Sequence, residues 1–250
     1  MKLALECPTG ILSDIQPLAD FDWVLAHLVL EDPEYADFYR KSTRYKVLDN
    51  SVNELLQSLS LDELEEAANI VKPNLVVAPD YLGDHIQTRA ALNEAIRIFG
   101  MDRVFPVVQG ATMVSIIDFF DYILHLGFEK VAVPYDILSS REGTPEEMAN
   151  NRTRVVHSIE VKAPIGFWIH LLGMTTVNEL GCYGSGWVKS IDTGVPVMMG
   201  QKGYRLGKNR LVDKKKPTMS IMECTISGNP EYSRQSIYYN IAYLRKLLND

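Results

Sequence analysis

The sequence predicts an α/β protein that forms a single (β/α)8 TIM-like barrel. Three observations lead to this prediction: eight short β-rich apolar runs, helical patterns between most of them, and a spacing of about 20 to 30 residues. Runs that are apolar on both faces are typical of parallel strands covered by helices. Eight such runs favour a closed barrel over an open sheet.

The apolar runs can be assigned one by one. The first two are joined by too little chain for a regular helix, so the first strand-helix unit is irregular. The predicted strands are 3–7, 23–30, 45–48, 75–78, 104–108, 130–133, 166–172 and 187–191.

Helix start and stop signals fall between the runs. Ser60-Leu-Asp-Glu63 has the spacing of a capping box, and Lys72-Pro73 ends the helix that follows. Thr144 precedes a proline and two acidic residues, which suit the first turn of a helix. Glycines 100 and 127 end two further helical patterns. The predicted helices are 60–71, 85–99, 112–126, one opening at 144, one opening at a capping box from 176 to 179, and 232–248.

Length and composition are typical of one globular domain. The 250 residues are 46% hydrophobic, enough to bury a large core, so we expect one domain over 1–250. Three cysteines far apart in sequence argue against a disulfide framework and suit a reducing cytoplasm. Glu6 interrupts the N-terminal apolar run too early for a signal peptide, and no run reaches the roughly 18 apolar residues of a membrane span. These features predict a soluble, cytoplasmic protein with no membrane partner.

The charge is unevenly distributed along the chain. The net charge is -7, yet residues 202–217 hold seven basic residues and one acid, a local charge of +6. Phosphate affinity depends on nearby Lys and Arg rather than on total charge, so this basic segment predicts contact with a nucleic-acid backbone. The alternative is a solvated loop that keeps the chain soluble. The residues predicted to contact the backbone are Lys202, Arg205, Lys208 and Arg210.

Polar residues stand where most of the runs end. In a parallel barrel these ends meet at one mouth, where the loops after the strands build the active site. One polar residue at a strand end is ordinary, because Asp and Asn favour turns and caps. Three carboxylates and an amide on one rim need a compensating ligand, proton or metal, because clustered acids repel each other. The residues are Asp49, Asp80, Gln109 with Gly110, Tyr135, Gly173 and Asp192.

The segments around these residues resemble, in order and spacing, the core motifs of the tRNA-guanine transglycosylase superfamily. Those enzymes are TIM barrels that exchange guanine for a 7-deazaguanine within a nucleic acid. The resemblance covers roughly residues 40 to 205. The segments are YKVLDNS (45–51), VVAPD (76–80), PVVQGA (106–111), IHLLGM (169–174) and KSIDTG (189–194).

The chain also departs from the tRNA-modifying members of that family. Their late zinc site of cysteines and a histidine has no counterpart, since only Cys224 follows Asp192 and no histidine follows His170. Their Asp-Ser-Gly-Gly pattern is reduced to Asp49-Asn-Ser-Val, and their paired glycines are replaced by Pro134-Tyr135. These features and the short chain are more similar to the DNA-guanine transglycosylases, particularly the small versions of bacterial viruses. The resemblance implies a barrel without a zinc-binding subdomain, acting in a host cytoplasm if the protein is viral.

The resemblance also implies a reaction. The protein would be a pentosyltransferase that replaces guanine in DNA with a 7-deazaguanine of the preQ0 type, through a covalent aspartyl-sugar intermediate. Asp192 would be the nucleophile, and Asp49 would carry the proton of the leaving and incoming bases. Gly194 and Gly200 would leave room for the sugar-phosphate backbone. The partners would be DNA and a free 7-deazaguanine, with no cofactor; the base would be bound by Asp80, Gln109, Gly110, Tyr135 and Gly173.

Several alternatives stay open on sequence alone. The polymer could be tRNA, water could complete the reaction as in a nucleic-acid N-glycosylase, or the barrel could bind nucleic acid without catalysis. No C-x-x-C or H-x-x-x-H motif is present, so we expect no metal, although three acids on one rim could hold magnesium. His27 and His170 lie in apolar runs and are interpreted as hydrogen-bonded core histidines.

Overall fold

The computed structural model describes residues 1–138, 143–174, 176–184, 186–207 and 230–249. Within these ranges the chain is an α/β structure in which parallel strands alternate with helices. All eight predicted strands are present, with shifted ends. They are β1 (Lys2–Leu5), β2 (Asp22–Leu25), β3 (Lys46–Asp49), β4 (Leu75–Val77), β5 (Val104–Phe105), β6 (Lys130–Pro134), β7 (Trp168–Leu172) and β8 (Val188–Thr193).

Helices connect and cover the strands. Ser60, Thr112 and Thr144 each cap a helix by accepting a hydrogen bond from the backbone N–H three residues on. The helices are α1 (Leu12–Ile15), α2 (Ala26–Glu31), α3 (Pro33–Lys41), α4 (Val52–Leu55), α5 (Leu61–Val71), α6 (His85–Phe99), α7 (Met113–His125), α8 (Pro145–Lys162), α9 (Val195–Gln201) and α10 (Pro230–Asn249), with 3-10 turns at Thr9–Ile11, Gln16–Leu18, Met101–Arg103 and Val177–Cys182.

The strands form two four-stranded parallel sheets. One sheet has the order β1-β8-β7-β6 and the other has the order β2-β3-β4-β5. Ala4 of β1 pairs with Asp192 of β8, and Leu25 of β2 pairs with Asp49 of β3. Because the strands within each sheet are parallel, their C-terminal ends lie along one edge, and that is where the predicted site residues stand.

Hydrogen bonds link the two sheets at both sides. Near β1, the Asp20 N–H donates to the Leu3 carbonyl at 2.7 Å, and the Leu3 N–H donates to the Asp20 carboxylate at 2.8 Å. After β5, the Ala132 N–H donates to the Pro106 carbonyl at 2.8 Å, and the Val108 N–H donates to the Ala132 carbonyl at 3.0 Å. The chain thus pairs locally across both seams, while closure into one eight-stranded barrel stays a prediction.

The core is apolar on both faces of the sheets. Val47, Val76 and Ile169 of the strands are fully buried, as are Phe120 and Ile159 of the covering helices. This double burial explains why the strands read as continuous apolar runs. No helix in the described ranges has both the length and the apolar character needed to cross a lipid bilayer.

The second strand is shorter than the sequence predicts. Residues 23–30 are predicted as one strand, but β2 ends at Leu25 and α2 begins at Ala26. A continuous apolar run has no periodicity to separate a strand from a buried helix, and Leu28 and Val29 are buried within α2. Asp32 then caps α3 by accepting from the backbone N–H groups of the next turn.

The fifth strand and the predicted capping box at 176–179 also differ. β5 ends at Phe105 rather than at residue 108, because Pro106 has no N–H to donate to the ladder. Thr176 accepts a hydrogen bond from the Asn178 N–H, but Glu179 does not complete the box, since its carboxylate binds Arg152. The Glu179 side chain, which the local pattern predicts to cap the helix, instead forms a buried ion pair with Arg152.

Candidate active site

Each of the eight strands, or the segment directly after it, contributes at least one residue to one open cavity. The empty space at this cavity, including the open solvent at its mouth, amounts to about 710 Å³. Six of the seven residues predicted for catalysis or base binding line it. From the first strand to the eighth, the lining includes Glu6, Trp23, Asp49, Asp80, Gln109, Tyr135, Gly173 and Asp192.

Two predicted glycines lie elsewhere. Gly110 packs against α7, where an added Cβ would come within 2.6 Å of Ser115 Oγ. Gly200 packs against α10, where an added Cβ would come within 2.4 Å of an Ile237 side-chain carbon. Both positions need glycine for close packing between elements rather than for access of a ligand. Gly194, in contrast, lines the cavity.

Asp192 is held as a buried carboxylate by several donors. It is 3% exposed, and its Oδ1 accepts from His170 Nε2 at 2.9 Å and from the Gly173 N–H at 3.1 Å. The Glu6 side chain is hydrogen-bonded to the same carboxylate. Burial opposes ionisation, but these hydrogen bonds and the nearby imidazole together hold the pKa of Asp192 below its ordinary value. A charged carboxylate facing a cavity is a candidate nucleophile.

A chain of hydrogen bonds orients His170. Trp168 Nε1–H can only donate, and it donates to Ser190 Oγ at 2.7 Å. Ser190 Oγ also lies 2.7 Å from His170 Nδ1, so its proton is directed to that nitrogen. His170 then carries its hydrogen on Nε2, which faces Asp192. Trp23 stacks on the imidazole at 4.6 Å between ring centroids and fixes the plane of the ring.

Asp49 has the opposite electrostatic environment. Burial raises the pKa of Asp49 well above its ordinary value, and the carboxylates of Glu54, Asp192 and Asp80 raise it further. The Ser51 N–H, which donates to Asp49 Oδ2 at 2.8 Å, opposes this shift. Two neighbouring acids whose pKa values are driven apart are the usual sign of a nucleophile or base paired with an acid. Of these two acids, Asp49 is the one whose surroundings favour the protonated form.

Asp80 is fixed by two side-chain amides. Asn50 Nδ2 donates to Asp80 Oδ1 and Gln109 Nε2 donates to Asp80 Oδ2, both at 2.7 Å. The Gly83 N–H donates to Gln109 Oε1 at 3.2 Å, which turns the amide nitrogen toward the carboxylate. Asn50, Asp80 and Gln109 are each at most 3% exposed. The cavity wall therefore carries a carboxylate and two amides that hold one another in place.

Tyr135 and Gly173 form another part of the cavity. The Tyr135 hydroxyl donates to Asn53 Oδ1 at 2.8 Å, which joins the loop after β6 to α4 after β3. Gly173 has a φ of 63°, and an added Cβ would lie 3.0 Å from the Tyr135 ring. Glycine is needed there for both reasons. Gly173 is predicted to bind the base, but its N–H is used by Asp192.

A buried ion pair supports the Gly173 loop from behind. Arg152 of α8 is 0% exposed, and its Nη1 donates to the carbonyls of Leu172 and Gly173, both at 2.9 Å. Its Nε donates to Glu179 Oε2 at 3.2 Å. Arg152 thus binds the carbonyl of the last residue of β7 and the carbonyl of Gly173 after it, and so holds the backbone that presents the Gly173 N–H to Asp192.

The basic segment is only partly described. Lys202 is exposed after α9. Arg205 turns toward α10, where its Nε donates to Ser236 Oγ at 3.4 Å and its guanidinium lies 5.5 Å from the centroid of the Tyr239 ring. The predictions for Lys208, Arg210 and the remainder of the segment from 208 to 217 lie outside the described residues.

Several cavity residues escape the sequence prediction. His170 is correctly interpreted as a buried, hydrogen-bonded histidine, but its bond to Asp192 depends on strand pairing that the sequence does not show. Glu6 and Asn50 give a local signal, since Glu6 follows β1 and Asn50 follows Asp49. The rule that identifies the other strand-end residues would have included both. Trp23 gives no such signal, because an aromatic residue in a strand is ordinary.

Neither a metal-binding cluster nor a similar known protein identifies the function of this cavity. Among the described residues, no group of three or more His, Cys, Asp or Glu side chains is arranged to hold a metal ion. No protein-family model matches the sequence, and no curated protein matches it either. The function must therefore be argued from the cavity itself.

Proposed function

We propose that the protein is a base-exchange transglycosylase that replaces guanine in DNA with a 7-deazaguanine of the preQ0 type. The observation that carries this proposal is one cavity containing a charged, buried Asp192, an Asp49 whose pKa is raised, and an amide-clamped Asp80. Such a set provides a nucleophile, an acid and a base-reading group together.

The proposal includes closure of the two sheets into one eight-stranded barrel. Hydrogen bonds at both sheet edges and a cavity shared by all eight strand ends support closure. In that architecture the cavity lies at the C-terminal mouth, where barrel enzymes carry their active sites.

In the first half-reaction Asp192 attacks the anomeric carbon of a guanine nucleotide. Its Oδ1 accepts hydrogen bonds from His170 and from the Gly173 N–H, so we assign the attack to Oδ2. A bond forms from Oδ2 to C1′, the C1′–N9 bond breaks, and the bond's electron pair leaves with the base. Asp49 gives its proton to the departing guanine. The fixed negative charge of Asp192 stabilises the oxocarbenium character of the transition state, as in retaining glycosidases.

The second half-reaction reverses these steps with a different base. The incoming 7-deazaguanine gives its N9 proton to the Asp49 carboxylate, and N9 bonds to C1′. The C1′–O bond breaks and its electron pair returns to Asp192. Both bases use the same pocket in turn, so the kinetics are ping-pong.

Base recognition follows from the clamp on Asp80. The carboxylate accepts from the ring N–H and exocyclic amine that guanine and 7-deazaguanine share. Gln109 Nε2 has two hydrogens and uses one on Asp80, which leaves the other for the base carbonyl. Leaving these buried groups unpaired is costly, so adenine, which lacks the matching groups, is discriminated against.

The DNA strand must deliver an unstacked base to this cavity. An active-site pocket cannot reach a base within a duplex, so the target base is flipped or single-stranded. Flipping costs a few kcal/mol, and phosphate contacts from Lys202 and the basic segment 202–217 offset this cost.

Incorporation of labelled 7-deazaguanine tests the proposal. The protein is incubated with radiolabelled preQ0 base and, in separate reactions, duplex DNA, single-stranded DNA or tRNA, and label in the polymer is counted. We expect label in DNA, with release of unlabelled guanine, and no label with Asp192→Asn. Label in tRNA instead of DNA would contradict the DNA substrate and indicate a tRNA-guanine transglycosylase. Guanine release without incorporation would indicate a glycosylase, and neither event would indicate a non-catalytic barrel.

A further inference from the structure

Glu6 is a cavity residue to which the proposed reaction assigns no role. Its N–H donates to the Thr193 carbonyl at 3.3 Å, which continues the β1–β8 pairing beyond Leu5. Ala4 pairs with Asp192, and side chains two residues apart on a strand lie on the same face, so Glu6 points to the side of Asp192.

The contact between Glu6 and Asp192 requires a proton. Their side chains are hydrogen-bonded to each other, and two carboxyl groups can share a hydrogen bond only when one of them is protonated. Asp192 Oδ1 already accepts from His170 and from the Gly173 N–H, and both donors stabilise its charged form. The proton therefore lies on Glu6.

Several other acids share the cavity with Glu6. They are Asp49, Glu54, Asp80, Asp136 and Asp192, and His170 of β7 is hydrogen-bonded to Asp192. Cys7 beside Glu6 and Tyr35 of α3 are buried, and burial raises the pKa of both, so they stay neutral. No lysine or arginine is among the described residues that line the cavity.

We propose that Glu6 is a positioning residue whose protonated carboxyl group holds Asp192 and makes it a better leaving group in the second half-reaction. This inference rests on the proposed function, because it assigns a role within that exchange. Glu6 keeps its proton throughout, so the balance of atoms and electrons in both half-reactions is unchanged.

The hydrogen bond changes strength as the reaction proceeds. When Asp192 bonds to C1′ it becomes a neutral ester, and the hydrogen bond from Glu6 weakens. When the C1′–O bond breaks, the charge returns to Asp192 and the bond from Glu6 strengthens. Loss of the bond therefore slows the transfer step, while guanine release is spared because a less stabilised carboxylate is a stronger nucleophile.

Rapid-quench kinetics separate the two half-reactions. Guanine release is measured without an acceptor base, and transfer is measured by adding 7-deazaguanine to the isolated adduct. For Glu6→Ala we expect transfer about 10- to 100-fold slower, the loss expected for a charge-assisted hydrogen bond, and guanine release within about threefold of wild type. Glu6→Gln retains a donor, so its transfer rate should return to within about fivefold of wild type.

The pH profile of the transfer step adds a second signature. In the wild type, the rate of transfer should fall at high pH as Glu6 ionises. In Glu6→Gln this fall should be absent, because glutamine does not ionise. Glu65→Ala, which removes an exposed acid from α5, is the matched control and should leave both half-reactions unchanged. Equal slowing of both half-reactions by Glu6→Ala, or a Glu6→Gln variant as slow as Glu6→Ala, would overturn the inference.

A measurement without substrate distinguishes failure of this inference from failure of the proposed function. Carbon-13 NMR of labelled Glu carboxyl groups in the free protein should show one that titrates well above the ordinary glutamate value of about 4.3 and that is absent from Glu6→Gln. A Glu6 that titrates near that ordinary value contradicts the shared proton, whether or not the protein exchanges bases. If no nucleic acid is modified but the high titration is found, the proposed function fails and the proton assignment stands.

Discussion

At the scale of single residues, the pKa values of Asp192 and Asp49 are shifted in opposite directions. Hydrogen bonds from His170 and Gly173 favour the charged form of Asp192, whereas burial and neighbouring acids favour the neutral form of Asp49. Each environment can be removed separately, so each can be tested.

His170→Phe should move the acid limb of the activity profile. The change keeps a ring against Trp23 but removes the hydrogen bond that stabilises the Asp192 carboxylate. The pKa of Asp192 then rises, so its charged form is lost at a higher pH as the solution is acidified. We expect the acid limb of kcat/KM to shift upward by about one pH unit, with a 10- to 100-fold loss near neutrality. An acid limb that stays in place would contradict the role of His170.

Asp49→Asn should stabilise the protein while abolishing exchange. In the unfolded chain Asp49 ionises near pH 4, but in the fold its pKa is higher, so folding stability is lost as pH rises between the two values. An asparagine at position 49 does not ionise, so the variant keeps the folding stability that the wild type loses as pH rises. We expect a gain of about 1 kcal/mol, or about 2 to 4 °C in Tm, at pH 7 and no gain below about pH 4.

Asp80→Asn is the matched control for that measurement. The new amide would turn an NH2 group toward the donor of Asn50 or Gln109, so the protein should lose about 1 to 3 kcal/mol of stability. Thermal unfolding at pH 4 and pH 7 compares the two variants. Destabilisation by Asp49→Asn at pH 7 would contradict a protonated Asp49.

Some of the site residues could be predicted from the sequence and others could not. Asp49, Asp80, Gln109 and Asp192 could be predicted because each stands at the end of an apolar run, and parallel strands gather such ends. The bond from His170 to Asp192 could not, because it depends on the pairing of β7 with β8. The position of Gly110 against α7 could not either, since a glycine in a loop suits both packing and ligand access.

At the scale of elements, the Arg152–Glu179 pair joins α8 to the loop that carries Gly173. Arg152→Ala would leave Glu179 charged and buried, and it would remove the Arg152 hydrogen bonds from the Leu172 and Gly173 carbonyls, of which Leu172 keeps the Tyr135 N–H. We expect a loss of about 3 to 5 kcal/mol in urea unfolding. The double variant Arg152→Met with Glu179→Leu should recover much of that stability, because a buried ion pair is often replaceable by apolar side chains. A loss below 1 kcal/mol for Arg152→Ala would contradict this role.

Element prediction succeeds where local signals are strong and fails where tertiary contacts decide. The helix 85–99 was bounded correctly because Asp84 caps it and Gly100 follows it. The capping box at Thr176 was wrong because Glu179 has a stronger partner in Arg152, 27 residues away. The α2 helix was missed because burial hides the helical period of residues 26–31.

At the scale of the whole molecule, hydrogen exchange tests closure of the barrel. The Asp20 amide donates to Leu3 across one seam, and the Ala132 amide donates to Pro106 across the other. If the sheets close into one barrel, both amides exchange only through global unfolding, like the amides within β3 and β7. Exchange of either amide orders of magnitude faster than those of the strands would indicate an open seam.

The gathering of strand ends is the property of the molecule that sequence predicted best. It follows from fold class alone, and the cavity receives a residue from every strand. The sequence could not predict which side chains would carry charge there, because that depends on burial and on donors from other strands.

Trapping of a covalent adduct tests the central claim most directly. The protein is mixed with a guanine-containing DNA strand without an acceptor base, denatured, and examined by intact mass and by peptide mapping. We predict a mass gain equal to the strand minus guanine, located on the peptide that contains Asp192 and absent from Asp192→Asn. An adduct on another residue, or guanine release by the wild type with no adduct, would contradict the assignment of Asp192 as the nucleophile.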